Sequence, residues 1–128
     1  MNKMNKKGFT LIEMLVVIAI IAVLVAIIIP TISSATTKAK AAADAANLRS
    51  LVAEATTDML SGGANTTGLV KFTPADTISA SCFEVVSTAP KSKTNGAVAT
   101  ITYDSATGIV GAKYGSLTIE SLATTAGS

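Results

Sequence analysis

Residues 9–29 read FTLIEMLVVIAIIAVLVAIII, an apolar run interrupted only by Thr10 and Glu13. About 20 consecutive apolar residues match the hydrocarbon thickness of a bilayer, so the pattern predicts a transmembrane helix over 9–29. Pro30 closes the run, and helical character then continues over 31–60. Apolar residues recur at Ile32, Ala35, Ala39, Ala42 and Ala46, and again at Leu48, Leu51, Val52, Ala55 and Met59. That spacing is close to i, i+3, i+4, the stripe of an amphipathic helix. Lys38, Lys40, Asp44, Arg49 and Asp58 fall largely between these positions and read as solvated. Gly62-Gly63 supplies the stop. Pro30 is expected to bend this helix without ending it.

After the helix the period changes. Residues 69–72, 82–86, 97–103 and 109–120 are rich in Val, Ile, Thr, Tyr and Phe, and turn-forming residues separate them. Asp104-Ser105-Ala106-Thr107-Gly108 reads as a hairpin loop. Gly111 and Gly115 weaken the last run, which is expected to be split or bulged. The fold class is therefore α+β: a long N-terminal helix, transmembrane in its first half and amphipathic in its second, packed against a small C-terminal antiparallel β-sheet. The expected organisation is 1–8 as a leader, 9–29 as the transmembrane helix, 30–62 as its amphipathic continuation, and 63–128 as a β-rich globular head.

Charge refines this picture. The 128 residues carry a formal net charge of +2, but Lys3, Lys6 and Lys7 all precede Gly8, leaving seven basic and eight acidic side chains in 9–128. The basic leader favours a cytoplasmic N-terminus, with the rest of the chain outside. The balance beyond it offers no basic surface for nucleic acid. A cleavable secretory signal ending at Ser33-Ser34-Ala35 is the rival reading. It is disfavoured because the apolar run exceeds the usual h-region and contains Glu13. Histidine is absent and Cys82 is the lone cysteine. The usual general base, the commonest metal ligand and any intramolecular disulfide are thereby removed, and Cys82 is expected to fill a small apolar space.

Two residues carry candidate chemistry. Gly8 lets backbone approach another surface closely, as a peptidase would need, though it also serves as simple punctuation of a polar tail. Glu13 is an ionisable group inside a membrane helix, which is costly unless it snorkels to the headgroups or finds a partner. Thr10 is expected only to return its hydroxyl to a helix carbonyl. The Ala-rich stretch 35–46 permits close helix approach, or simply reflects helix propensity.

Lys6-Lys7-Gly8-Phe9-Thr10-Leu11-Ile12-Glu13, running directly into the apolar segment, resembles the type IV pilin and pseudopilin family. Precursors of that family carry a short basic leader ending in Gly, then Phe, then Glu at the fifth mature position. The resemblance covers about residues 6–30. It implies cleavage between Gly8 and Phe9 and N-methylation of Phe9. It also implies an assembly role for Glu13, and Pro30 falls where many members have a helix-bending proline. The implied partners are a prepilin peptidase/N-methyltransferase, the inner-membrane pilus assembly machinery, the bilayer before assembly, and further copies of the chain in a helical homo-oligomeric filament. The implied location is the cell membrane first and an extracellular or wall-spanning filament afterwards.

The function so implied is a structural filament subunit, with roles in adhesion or secretion left open. The alternative is a pseudopilin of a type II secretion or DNA-uptake system. A membrane-anchored binding module or enzyme is the remoter alternative, because no nucleophile motif, phosphate loop or metal-spaced cluster stands in the sequence. No catalytic residue, cofactor or metal site is expected. The single cysteine departs from the many pilins that close a C-terminal loop with a cysteine pair, so receptor-binding roles tied to that loop do not carry over.

Overall fold

A computed structural model describes residues 10–65 and 67–127. In chain order the elements are α1 (Leu11–Leu60), β1 (Val70–Phe72), a 3-10 turn (Ala80–Cys82), β2 (Phe83–Val85), β3 (Ala99–Asp104), β4 (Ile109–Tyr114), β5 (Leu117–Thr118) and α2 (Ile119–Gly127). Two compact units divide the chain, Met1–Thr36 and Thr37–Ser128.

In the first unit, the described residues of α1 are exposed throughout, including fifteen large apolar side chains of the run such as Leu15, Ile18, Val23 and Ile28. The segment is long and apolar enough to cross a membrane. A helix is the form such a segment must take in lipid, since it satisfies its backbone groups internally. Pro30 stands inside α1 without ending it. It lacks the N–H that would serve the Ala26 carbonyl. One residue on, the Thr31 hydroxyl donates to the Ile27 carbonyl at 3.3 Å.

In the second unit, α1 lays one face on the strands. The buried positions are Ala41, Asp44, Ala45, Leu48, Leu51, Ala55 and Asp58. Ala35, Ala39, Ala42 and Ala46, expected inward, are exposed. The expected stripe thus holds from Leu48 onward but is rotated off the true one before it, where Asp44 and not Ala42 or Ala46 faces inward; Asp58 also joins the buried face instead of water. Both aspartates are buried, at 0% and 1% exposure. Counting them inward restores a continuous i, i+3/i+4 series from Ala41 to Asp58.

Three acids on this helix accept hydrogen bonds from the backbone that crosses it. Asp58 takes the N–H groups of Asn65 (3.0 Å) and Phe72 (2.7 Å). Glu54, half-buried, takes those of Leu69 and Val70. Asp44 takes the N–H groups of Lys93 (2.6 Å) and Thr94 (3.0 Å) and the Ser92 hydroxyl (2.7 Å). A buried carboxylate is tolerated only when it is well hydrogen-bonded, and these are. No buried side-chain polar atom lacks a partner among the described residues.

The strands form two antiparallel sheets, β1-β2 and β3-β4-β5, where one was expected. In the first, Val70 pairs with Val85 and Phe72 with Phe83, and the two phenyl rings meet at 5.2 Å. In the second, Ile101 pairs with Ala112 and Ala99 with Tyr114. Their inner side chains join Leu48, Leu51, Cys82 and Leu122 in one core. Cys82 is buried and free, as its expected space-filling role requires.

Turns fall where the glycines put them. Gly62 and Gly63 have φ of 72° and 80°, and their N–H groups reach the carbonyls of Met59 and Asp58. That pair of bonds is the Schellman closure of a helix. The 104–108 loop is a hairpin turn, with the Asp104 carboxylate accepting from Ala106 N–H and Gly108 at φ 71°.

The run 109–120 breaks at Gly115 (φ 62°) into β4 and β5, and then turns helical. Ile119 and Glu120 open α2, which was expected to be strand. Thr118 and Ser121 cap α2 reciprocally: Ser121 N–H donates to Thr118 Oγ1 and Thr118 N–H to Ser121 Oγ. Leu122 is the residue α2 buries.

Candidate functional site: the N-terminal segment

Thr10 immediately precedes the first residue of α1, and Glu13 is the third helical residue. Glu13 N–H donates to Thr10 Oγ1 at 3.3 Å, while Thr10 N–H donates to Glu13 Oε2 at 3.1 Å. The Thr10 carbonyl accepts the first helical bond, from Met14 N–H, at 3.2 Å. This is a capping box, in which two backbone donors that a helix start leaves orphaned are satisfied by two side chains. Thr10 therefore does more than expected, and its hydroxyl accepts an N–H where a bond to a helix carbonyl was expected. The pattern Thr-x-x-Glu before an apolar run was the signal available for it.

The placement is electrostatically favourable. A carboxylate in the first turn faces the positive end of the helix dipole. Glu13 is also the sole acid between residues 10 and 43. Its neighbours Leu11 and Ile12 are 78% and 73% exposed, so the carboxylate belongs to an exposed and otherwise apolar stretch of helix. A carboxylate offers about four lone-pair sites, and among the described residues the box uses one of them. Glu13 thus retains acceptor capacity for a further donor.

Pro30 lies seventeen residues further along α1, about 26 Å at 1.5 Å per residue, so the fold does not bring it to Glu13. Gly8 and Phe9, the expected cleavage site, lie outside the described residues. Elsewhere, no group of three or more His, Cys, Asp or Glu side chains is gathered as metal ligands among the described residues. A shallow depression on the outer face of the second sheet is lined by Thr102, Gly111, Lys113, Thr118 and Glu120, and it pairs no nucleophile with a base.

Comparison with the curated proteins and with the solved structures finds no match in either. Residues 3–29, however, match the family model described as the prokaryotic N-terminal methylation motif. That stretch contains Gly8, Phe9, Thr10 and Glu13 and ends one residue before Pro30. The chain therefore carries the N-terminal methylation motif characteristic of type IV pilins and pseudopilins, joined to a pilin-like α+β fold.

Proposed function

We propose that this pilin-like prepilin is a structural subunit of a type IV pilus-like filament. Its leader, residues 1–8, is removed between Gly8 and Phe9 by a prepilin peptidase, and Phe9 is then N-methylated. The observation that carries the reading is the methylation motif leading into an exposed apolar helix whose first turn holds a single carboxylate, Glu13.

Before assembly, residues 9–29 anchor the chain in the membrane with the head, residues 63–128, outside. The amphipathic segment 30–62 follows in the same helix, and Pro30 bends it where it leaves the lipid. On assembly, Glu13 accepts from the α-ammonium of a neighbouring copy, using the acceptor capacity that its capping bond leaves. A one-step slip along the filament leaves both charges unpaired in an apolar core, so the pair sets the axial register. Family members are in general structural proteins, not enzymes. The same motif supports a second reading, a pseudopilin in a short secretion or DNA-uptake filament. Recovery of the chain in sheared surface filaments favours the first, and recovery only in membranes the second.

Glu13→Val tests the reading. Loss of a carboxylate from an apolar segment makes insertion easier, and cleavage at Gly8 should persist. Filaments should fail or fall sharply in abundance, since breaking one half of a buried pair costs about 3–5 kcal/mol. Glu13→Asp should be intermediate. Filaments of normal abundance from the Val form would refute the role.

A further inference from the structure

Asn95-Gly96 occupies an exposed turn in the loop between β2 and β3. Asparagine followed by glycine is the dipeptide in which a backbone nitrogen most easily reaches a side-chain carboxamide, because glycine has no side chain to hinder the approach. The Gly96 nitrogen attacks Asn95 Cγ and ammonia leaves. The five-membered imide so formed takes up water to open as aspartate or isoaspartate.

In the folded head the reacting groups are tied elsewhere. Gly96 N–H donates to the Ser92 carbonyl at 2.9 Å. Asn95 Nδ2 donates to the Tyr114 carbonyl at 3.4 Å, and Asn95 N–H donates to Ser92 Oγ at 3.1 Å. The bond from Ala97 N–H to Asn95 Oδ1, at 2.9 Å, polarises the carboxamide towards attack, so protection rests on the nucleophile. Ring closure requires Gly96 N to lose its proton and turn onto Cγ, and both steps break its bond to Ser92. Ser92 is in turn fixed by Asp44 through its hydroxyl, beside the Lys93 and Thr94 amides that Asp44 also holds.

We infer that Asn95 is a latent modification site whose conversion to aspartate or isoaspartate is held off by the Asp44–Ser92 anchor and proceeds when that anchor opens. The conversion is one-way. A carboxylate at position 95 has no donor to offer the Tyr114 carbonyl, and isoaspartate adds a backbone atom to the turn. A head whose loop has opened long enough to react cannot close it in the original form. This inference is independent of the filament reading.

The test uses the full chain in detergent, incubated in mildly alkaline buffer. Mass spectrometry of the peptide containing residue 95 follows replacement of ammonia by water. Native protein should react about tenfold or more slowly than the same chain held in guanidinium, since two hydrogen bonds of ordinary net strength must be given up. Ser92→Ala and Asp44→Asn should each raise the native rate several-fold. Equal rates for native and unfolded wild type would overturn the inference, as would native protection undiminished in both variants. Should a variant lose its native circular dichroism, hydrogen exchange at the Gly96 amide of wild type decides instead. Deamidation then has to track the opening of that amide, and deamidation faster than the opening would overturn the proposal.

Discussion

Asp44 concentrates much of what holds the head together. Burial alone would push its carboxyl upward, but the Lys93 amide, the Ser92 hydroxyl and the Thr94 groups outweigh that and hold it below the usual aspartate range. Its contribution to stability is therefore complete above the unfolded value near 3.8 and is lost as pH falls through the lower folded value. Thermal melts followed by circular dichroism should fall through that acid window, and Asp44→Asn should flatten this part of the profile. At neutral pH the same substitution turns one acceptor into a donor facing N–H groups, an expected loss of about 2–3 kcal/mol. Tyr114 is coupled to the same spot. Burial and the Asp44 charge both raise its phenol, which donates to the Pro90 carbonyl at 2.6 Å. None of this was legible from spacing, because a periodicity reading sends every Asp to water. What a carboxylate does inside depends on which backbone amides arrive from residues 48 to 50 positions away, and one sequence does not show that.

At the scale of elements, the signals that were legible are those fixed locally. Gly62-Gly63 ended α1 and Gly108 closed the hairpin, because each needs a positive φ that other residues adopt poorly. The two helix-ending glycines should nevertheless respond differently. A Cβ at Gly62 meets nothing within 4 Å, whereas one at Gly63 falls 2.3 Å from the Phe72 carbonyl oxygen. Gly62→Ala should cost about 1 kcal/mol of backbone strain. Gly63→Ala should cost more, because strand β1 must also retreat, and denaturant midpoints of the two variants would show the order. The strand expected over 109–120 failed at its end for a related reason. Residues 117–120, Leu-Thr-Ile-Glu, have strand-like composition, and the turn at Gly115 leaves only Leu117 and Thr118 opposite β4. The Thr118–Ser121 box then starts a helix whose Leu122 reaches the core. Tertiary context outweighed propensity there. The N-terminal segment was the reverse case, legible because the stretch from Lys6 to Glu13 and the apolar run are contiguous in sequence, although the Thr10–Glu13 box inside it went unread.

For the whole molecule, the division at Thr36/Thr37 predicts that residues 37–128 fold by themselves. The first buried position is Ala41, so removing the apolar run takes away no core side chain. Circular dichroism of that truncated chain should show helix and strand with a cooperative melt, and an unfolded spectrum would show that the head depends on the membrane half. No disulfide is available to support it, and the core is modest for its length. The carboxylates of α1 take over part of that task. Asp44, Glu54 and Asp58 are spread over about 21 Å of helix at 1.5 Å per residue; Glu54 and Asp58 together grip the backbone of residues 65–72, and Asp44 grips that of residues 92–94. That spacing makes resistance to force directional. Traction that slides the strands along the helix axis loads all three grips in shear, together. Traction on the C-terminal end peels α2, with its single buried Leu122, and then two-residue β5, one contact after another. In single-molecule pulling, the head should therefore yield at low force from its C-terminal end and at markedly higher force along α1.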